Sequence, residues 1–272
     1  MVTPGTRPTV GVVKLTSCDG CQLTLLDLEE ELLAIADRFD LVDFPEASSS
    51  RSAGPYDLLL VEGSISDPQQ LERIVELRAR TTTLVAIGAC ATSGGIQALR
   101  NWGEVGDWSA AVYPQPELLA VLDRVTPVGD HVQVDAELRG CPISPTQLRE
   151  FLAALLVGRR PRLPDEAVCL ECKRRGIPCL LVTGDGTCLG PVTRTGCGAI
   201  CPSFGRGCYG CFGPREQPNV ASLASRFVAG GLGPDEAGRR FGFFTPLAEP
   251  FRAAIPDSPV RPPEEAPHAR NA

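Results

Sequence analysis

Eight of the chain's twelve cysteines lie in one glycine-rich stretch, and this stretch limits the possible folds more than any other. These cysteines are separated by 2, 6, 8, 8, 3, 6 and 2 residues, which is nearly a palindrome. A segment with so many thiols and so little apolar material cannot build an ordinary core, so bound metal has to supply the missing stability. The eight are Cys169, Cys172, Cys179, Cys188, Cys197, Cys201, Cys208 and Cys211.

The charge and the apolar pattern of the chain exclude several classes of function. With 272 residues, 43% of them hydrophobic, the chain can bury a core, and its net charge of −7 argues against nucleic acid as the main partner. We expect a cytoplasmic protein, because the sequence has neither an apolar run of membrane-spanning length nor an N-terminal export signal. Thiols stay reduced in that compartment, so the cysteines indicate metal ligands rather than disulfides.

Short apolar runs alternate with stretches of helical periodicity over residues 1–158. This alternation predicts an α/β fold built on a doubly wound parallel sheet. A small, loop-rich segment that holds the eight cysteines is expected to follow the sheet. We predict strands at residues 9–15, 40–44, 57–62, 83–87 and 132–134, and helices at residues 22–38, 68–80, 145–157, 221–228 and 234–240.

The four remaining cysteines follow the ends of predicted strands. Cys18 and Cys21 follow the first strand, Cys90 follows the fourth and Cys141 follows the fifth. Since the ligands of doubly wound sheets bind at the carboxyl ends of the strands, we expect these cysteines to converge there. Four thiolates from three segments suit a tetrahedral metal or an iron–sulfur cubane, with structural zinc as the alternative.

The eight downstream cysteines are enough for two sites of four ligands each. The simplest assignment is sequential, with the first four cysteines in one site and the last four in the other. An interleaved assignment, in which one cysteine crosses to the other site, stays open because Cys201-Pro202 resembles the Cys-Pro end of ferredoxin motifs. A double zinc ribbon is the alternative without iron, but it normally needs two C-x2-C pairs for each metal, which fits this spacing poorly.

Glu62 closes the third predicted strand, next to the expected site of the upstream cysteines. It is a candidate for hydrogen bonding around that site or for relaying protons. A helix cap or an exposed carboxylate is an equally good interpretation of the sequence.

Five segments carry motifs: KLTSCDGCQLTLLDLE, DLLLVEGSI, IGACATSGGIQ, RGCPI and CLGPVTRTGCGAICPSFGRGCYGCFG. Together they resemble the small, electron-transferring subunit of [NiFe] hydrogenases, most closely the soluble cytoplasmic enzymes of group 3. These include sulfhydrogenase delta subunits and the small subunits of F420-non-reducing hydrogenases. The first part of the chain also resembles, less closely, the small cluster-bearing subunit of respiratory complex I. An electron-transfer subunit of a complex I-like oxidoreductase without hydrogen chemistry is therefore the alternative.

The resemblance implies a flavodoxin-like domain followed by an iron–sulfur domain, with three [4Fe–4S] clusters in all. Membrane-bound relatives have a histidine where this chain has Cys169, and their medial cluster often has three cysteines where Cys201 offers a fourth. The implied ligands are Cys18, Cys21, Cys90 and Cys141 for the proximal cluster, Cys169, Cys172, Cys179 and Cys188 for the distal cluster, and Cys197, Cys201, Cys208 and Cys211 for the medial cluster.

The resemblance also implies that the work is divided among subunits. The Ni–Fe site that splits H2 belongs to a separate large subunit, and this chain passes the electrons, reversibly, to a flavin- or ferredoxin-type partner within a hetero-oligomer. The chain is then a subunit of an oxidoreductase. We expect a flavodoxin-like domain at residues 1–158, an iron–sulfur domain at residues 159–218, and a C-terminal extension at residues 219–272 that is partly disordered or bound to a partner.

Overall fold

Five strands form one fully parallel sheet. The computed structural model describes residues 7–184 and 186–257. The strands are β1 (Thr9–Lys14), β2 (Asp40–Asp43), β3 (Tyr56–Glu62), β4 (Thr81–Ile87) and β5 (Ala136–Leu138). Their order across the sheet is β2-β1-β3-β4-β5, which is the order of flavodoxin-like doubly wound folds. The predicted α/β fold class is confirmed.

Eleven α-helices connect or follow the strands within the described residues. The helix starts that the sequence marks most clearly have side-chain caps: Asp67 accepts from Gln70 N at 2.8 Å and Ser144 accepts from Gln147 N at 3.4 Å. The helices are α1 (Gly20–Leu26), α2 (Glu30–Ala36), α3 (Pro68–Ala79), α4 (Gly88–Ser93), α5 (Val105–Val112), α6 (Pro145–Leu156), α7 (Val168–Arg174), α8 (Leu180–Thr183), α9 (Ile200–Ser203), α10 (Val220–Ala229) and α11 (Pro234–Arg239).

Both faces of the sheet are covered, because successive side chains of each strand point to opposite sides. Even-numbered positions of β1 and β3 pack against α1 and α6 in one core, which also holds Phe151. Odd-numbered positions pack on the other face against Ile74 of α3. This double burial explains why the strands are continuous apolar runs in the sequence.

Two predicted elements differ from the structure. The helix predicted at residues 22–38 is two helices, interrupted near Glu29, whose φ is 50°. None of the residues of α2 is fully buried, so packing of its leucines does not require α1 and α2 to form one straight helix. The strand predicted at residues 132–134 is also wrong: Val132 and Val134 pack against the core below the sheet, and pairing with β4 begins only at Ala136.

A third core joins the cysteine-rich segment to the two C-terminal helices. Phe241 lies at its centre, with ring centroids 6.0 Å from Phe227 and 5.6 Å from Phe251. Leu189 and Val192 contribute from the cysteine-rich side. Residues 220–254 thus share a core with the predicted iron–sulfur domain, and the proposed boundary at residue 218 stays a prediction. Residues 258–272 of the predicted extension lie outside the described residues.

No described helix combines the length and the apolar character needed to cross a membrane.

Candidate metal centres

The four upstream cysteines meet at the carboxyl edge of the sheet, and we call them the first cysteine group. Cys18 lies in the loop after β1, Cys21 in α1, Cys90 in α4 and Cys141 just after β5. Burial, with the negative charges of Cys141 and Cys18, raises the pKa of Cys90 to about 12. Burial is also the main reason why the pKa of Cys21 is raised. Sulfurs in this setting become thiolates only against a bound cation.

Two glycines leave room for these sulfurs. Gly88, at the turn from β4 into α4, has a φ of +84°, and a Cβ atom there would lie 2.4 Å from Cys21 Sγ. Gly95 has a φ of +66°, and a Cβ atom there would lie 2.5 Å from Cys90 Sγ. Any other residue at these positions would therefore displace a cysteine and adopt a left-handed backbone conformation.

Glu62 is buried behind the first cysteine group, with 2% of its surface exposed. Its Oε1 accepts from Cys21 N at 3.0 Å, and its Oε2 accepts from Gln22 Nε2 at 3.0 Å. Burial raises the pKa of this carboxyl group. Glu62 ends β3, the strand next to β1, and its carboxylate accepts from the N–H groups of Cys21 and Gln22 in the first turn of α1. It is therefore buried, and it caps a helix to which it does not belong. A role in proton relay stays a prediction.

Gln97 belongs to the same neighbourhood but was not identified as a site residue from the sequence. Its Nε2 donates to the Thr16 carbonyl oxygen at 3.0 Å. This side chain lowers the pKa of Cys90 and so opposes the rise that burial causes. Within the described residues its Oε1 is buried without a hydrogen-bond partner. The only signal in the sequence is its position at the end of the segment IGACATSGGIQ.

The second cysteine group consists of Cys169, Cys172, Cys179 and Cys188. Cys169 and Cys172 lie one turn apart on α7, and Cys179 precedes α8 and is exposed. Burial raises the pKa of Cys169 to about 11, and the charges of the other three members add to this rise. The buried Cys188 Sγ accepts from Gly190 N at 3.4 Å.

The third cysteine group consists of Cys197, Cys201, Cys208 and Cys211. Burial raises the pKa of Cys211 to about 12, with contributions from the charges of Cys197, Cys141 and Cys201. Cys208 is almost fully buried, and its Sγ accepts from Gly210 N at 3.5 Å. The charges that act on Cys211 indicate that Cys197 and Cys201 lie near it, whereas the charge that, after burial, raises the pKa of Cys201 is that of Cys188 in the second group. The sequential assignment therefore stays a prediction.

Two contacts show how the groups follow one another in space. Cys141, in the first group, lies beside Cys211 in the third, since its charge and its backbone both act on the pKa of Cys211. The backbone N–H of Cys208, in the third group, donates to Cys188 Sγ in the second at 3.2 Å. The third group accordingly lies between the other two. The two ends carry exposed cysteines, Cys18 and Cys179.

The donor set fits iron–sulfur clusters. All twelve cysteines are free thiols, and three backbone N–H groups donate to two of the sulfurs, as N–H groups do around cluster ligands. Within residues 7–184 and 186–257, no three cysteine, histidine or acidic side chains are spaced to hold a single metal ion. Soft thiolates in groups of four, with N–H donors around them, suit a [4Fe–4S] cubane.

Comparison with known proteins agrees with this chemistry. Residues 18–155, about half of the chain, match the family described as NADH ubiquinone oxidoreductase, 20 Kd subunit. The chain is 38% identical to sulfhydrogenase 2 subunit delta of Pyrococcus furiosus, in an alignment that covers 79% of this chain and 90% of the relative. It is 34% identical to a subunit of the F420-non-reducing hydrogenase of Methanocaldococcus jannaschii, over 76% of this chain and 82% of that protein.

A solved structure gives the same result. One chain of an NAD+-reducing [NiFe]-hydrogenase in the H2-reduced state is 31% identical and superposes with a TM-score of 0.55, covering 58% of this chain and 96% of that chain. The length of the match, the parallel sheet and the free cysteines all indicate the same family. The chain belongs to the NADH ubiquinone oxidoreductase 20 Kd subunit family, and within that family it is a small subunit of the [NiFe] hydrogenase type.

Proposed function

We propose that this chain carries electrons between a Ni–Fe site on a large subunit and a redox partner, through three [4Fe–4S] clusters. The first cysteine group binds the proximal cluster, the third binds the medial cluster and the second binds the distal cluster. The observation that carries this proposal is the spatial series first–third–second, joined by the Cys141–Cys211 and Cys208–Cys188 contacts.

The clusters supply one-electron transfer when bound, and the chain controls where electrons can enter and leave. Cys18 and Cys179 are exposed at opposite ends of the series, whereas Cys188 and Cys208 are buried within it. Buried ligands exclude water from the middle of the series, and exposed ligands let partners approach its ends. Glu62 orients the first turn of α1 beneath Cys21, and we propose that it also tunes or relays protons near the proximal site.

The names of the relatives indicate the wider assembly. They are subunits of a sulfhydrogenase, of an F420-non-reducing hydrogenase and of an NAD-reducing hydrogenase. We therefore propose a cytoplasmic hetero-oligomer in which a large subunit performs the H2 chemistry. Another subunit, carrying flavin or further iron–sulfur clusters, exchanges electrons with the distal end, and the transfer is reversible.

The second candidate is electron transfer in a complex I-like enzyme without hydrogen chemistry, which the name of the matching family favours. Anaerobic purification of the chain with its bound partners separates the two candidates. We expect about twelve irons and twelve labile sulfides per chain, nickel in a co-purifying subunit and H2-dependent dye reduction. A partner without nickel would refute the hydrogenase assignment, and about three zinc ions without colour would refute the clusters.

A further inference from the structure

One carboxylate lies between the second and third cysteine groups and binds the loop at residues 196–199. Glu171 Oε1 accepts from Gly196 N at 3.1 Å and from Gly198 N at 3.2 Å, and its Oε2 accepts from Ala199 N at 3.1 Å. The same Oε2 lies 3.9 Å from Cys197 Sγ. A single side chain therefore binds three backbone donors around one predicted ligand.

The backbone conformation of the loop at residues 196–199 favours binding of an anion. The φ angles are +145° at Gly196, +67° at Gly198 and +54° at Ala199. Ala199 is fully buried in a left-handed conformation that a residue with a Cβ rarely adopts. This succession turns the N–H groups toward one point and makes a concave anion site. In other proteins such concavities bind phosphates and iron–sulfur clusters, whereas here the Glu171 carboxylate occupies the site.

A second side chain of the same helix holds the loop from its other side. Arg175, one turn after Glu171, donates through Nη1 to the Gly198 carbonyl oxygen. Both backbone groups of Gly198 are therefore bound by α7 and the residue that follows it. Since α7 also carries Cys169 and Cys172, the helix that provides two sulfurs to the second group positions the loop of the third.

We propose that Glu171 is a positioning residue that holds Cys197 for the medial cluster. Its negative charge lowers the reduction potential of that cluster. A neighbouring anion disfavours the added electron, whereas a neighbouring cation favours it. Glu171 and Arg175 both brace the loop but carry opposite charges. If the two side chains only held the loop, removing either one would shift the reduction potential of the cluster in the same direction. Because their charges are opposite, we expect the two removals to shift it in opposite directions. The inference rests on the proposed function.

The test is a redox titration, followed by EPR, of the complex purified with its partners. Glu171→Gln keeps the size of the side chain and removes the charge. At the midpoint potential of the wild type, we expect the ratio of reduced to oxidised medial cluster to rise roughly threefold, which is a positive shift of about 30 mV for a one-electron couple. Arg175→Gln should shift the same cluster in the negative direction. The proximal cluster should keep its potential in both variants.

The control is Glu216→Gln, which removes one exposed carboxylate from the same part of the chain. A shift in Glu171→Gln no larger than in this control, or shifts of the same sign in the Glu171 and Arg175 variants, would overturn the proposal. If the Glu171→Gln variant assembles no medial cluster, Glu171→Asp replaces it in the test, because aspartate keeps the negative charge. We expect the Glu171→Asp variant to have the wild-type potential and a lower iron content. A shifted potential in Glu171→Asp would contradict the charge argument. Wild-type protein without cluster signals would instead overturn the proposed function.

Discussion

Replacing Gly88 with alanine tests whether the sheet edge is shaped around the sulfurs of the first cysteine group. The new Cβ would lie 2.4 Å from Cys21 Sγ, about 1 Å short of ordinary van der Waals contact. The left-handed φ of +84° costs about 1–2 kcal/mol for a residue with a Cβ. Displacing the packed thiol adds about 1–3 kcal/mol. We therefore expect Gly88→Ala to lower the free energy of unfolding by about 2–5 kcal/mol in total.

Gly158→Ala is the matched control for this variant. Gly158 also has a positive φ, +64°, but a Cβ there would have no atom within 4 Å. It should therefore show only the backbone cost of about 1–2 kcal/mol and keep all of its iron. Urea unfolding gives the stability of both variants, and iron and sulfide analysis gives the clusters. We expect Gly88→Ala to lose about four irons per chain, with loss of the proximal EPR signal. Equal stability and equal iron content in the two variants would refute the reasoning.

Three further substitutions test individual contacts. Cys201→Ser should convert or remove only the medial cluster and leave two clusters intact by EPR, whereas loss of two clusters would favour the interleaved assignment. Gln97→Leu removes a polar side chain that lowers the pKa of Cys90, so the proximal potential should fall in a redox titration; an unchanged potential would exclude this role. Glu62→Ala leaves the Cys21 N–H without its buried acceptor and should lower the free energy of unfolding by about 1–3 kcal/mol, as measured by urea unfolding. A stability equal to that of the wild type would mean that water replaces the carboxylate.

The sequence was sufficient for the fold class because its apolar runs and helical stretches alternate in a way that few folds accommodate. It also indicated where the first cysteine group meets, since Cys18, Cys90 and Cys141 each follow a strand and parallel strands end at one edge. The two mistaken elements lie where local pattern and packing disagree. The valines near residue 133 pack against a core rather than pair in the sheet, and their apolar alternation is the same in both cases.

The cysteines and the strand pattern, both local in sequence, determined the kind of chemistry and the side of the sheet where it occurs. Only the tertiary structure showed that Glu62 accepts a hydrogen bond from Cys21, 41 residues away in the chain, and that Gly88 leaves space for Cys21 Sγ. It also showed that Glu171 holds the loop of Cys197. These contacts join segments far apart in the chain. Their geometry depends on how the sheet, helices and loops pack together, and no local residue pattern encodes that packing.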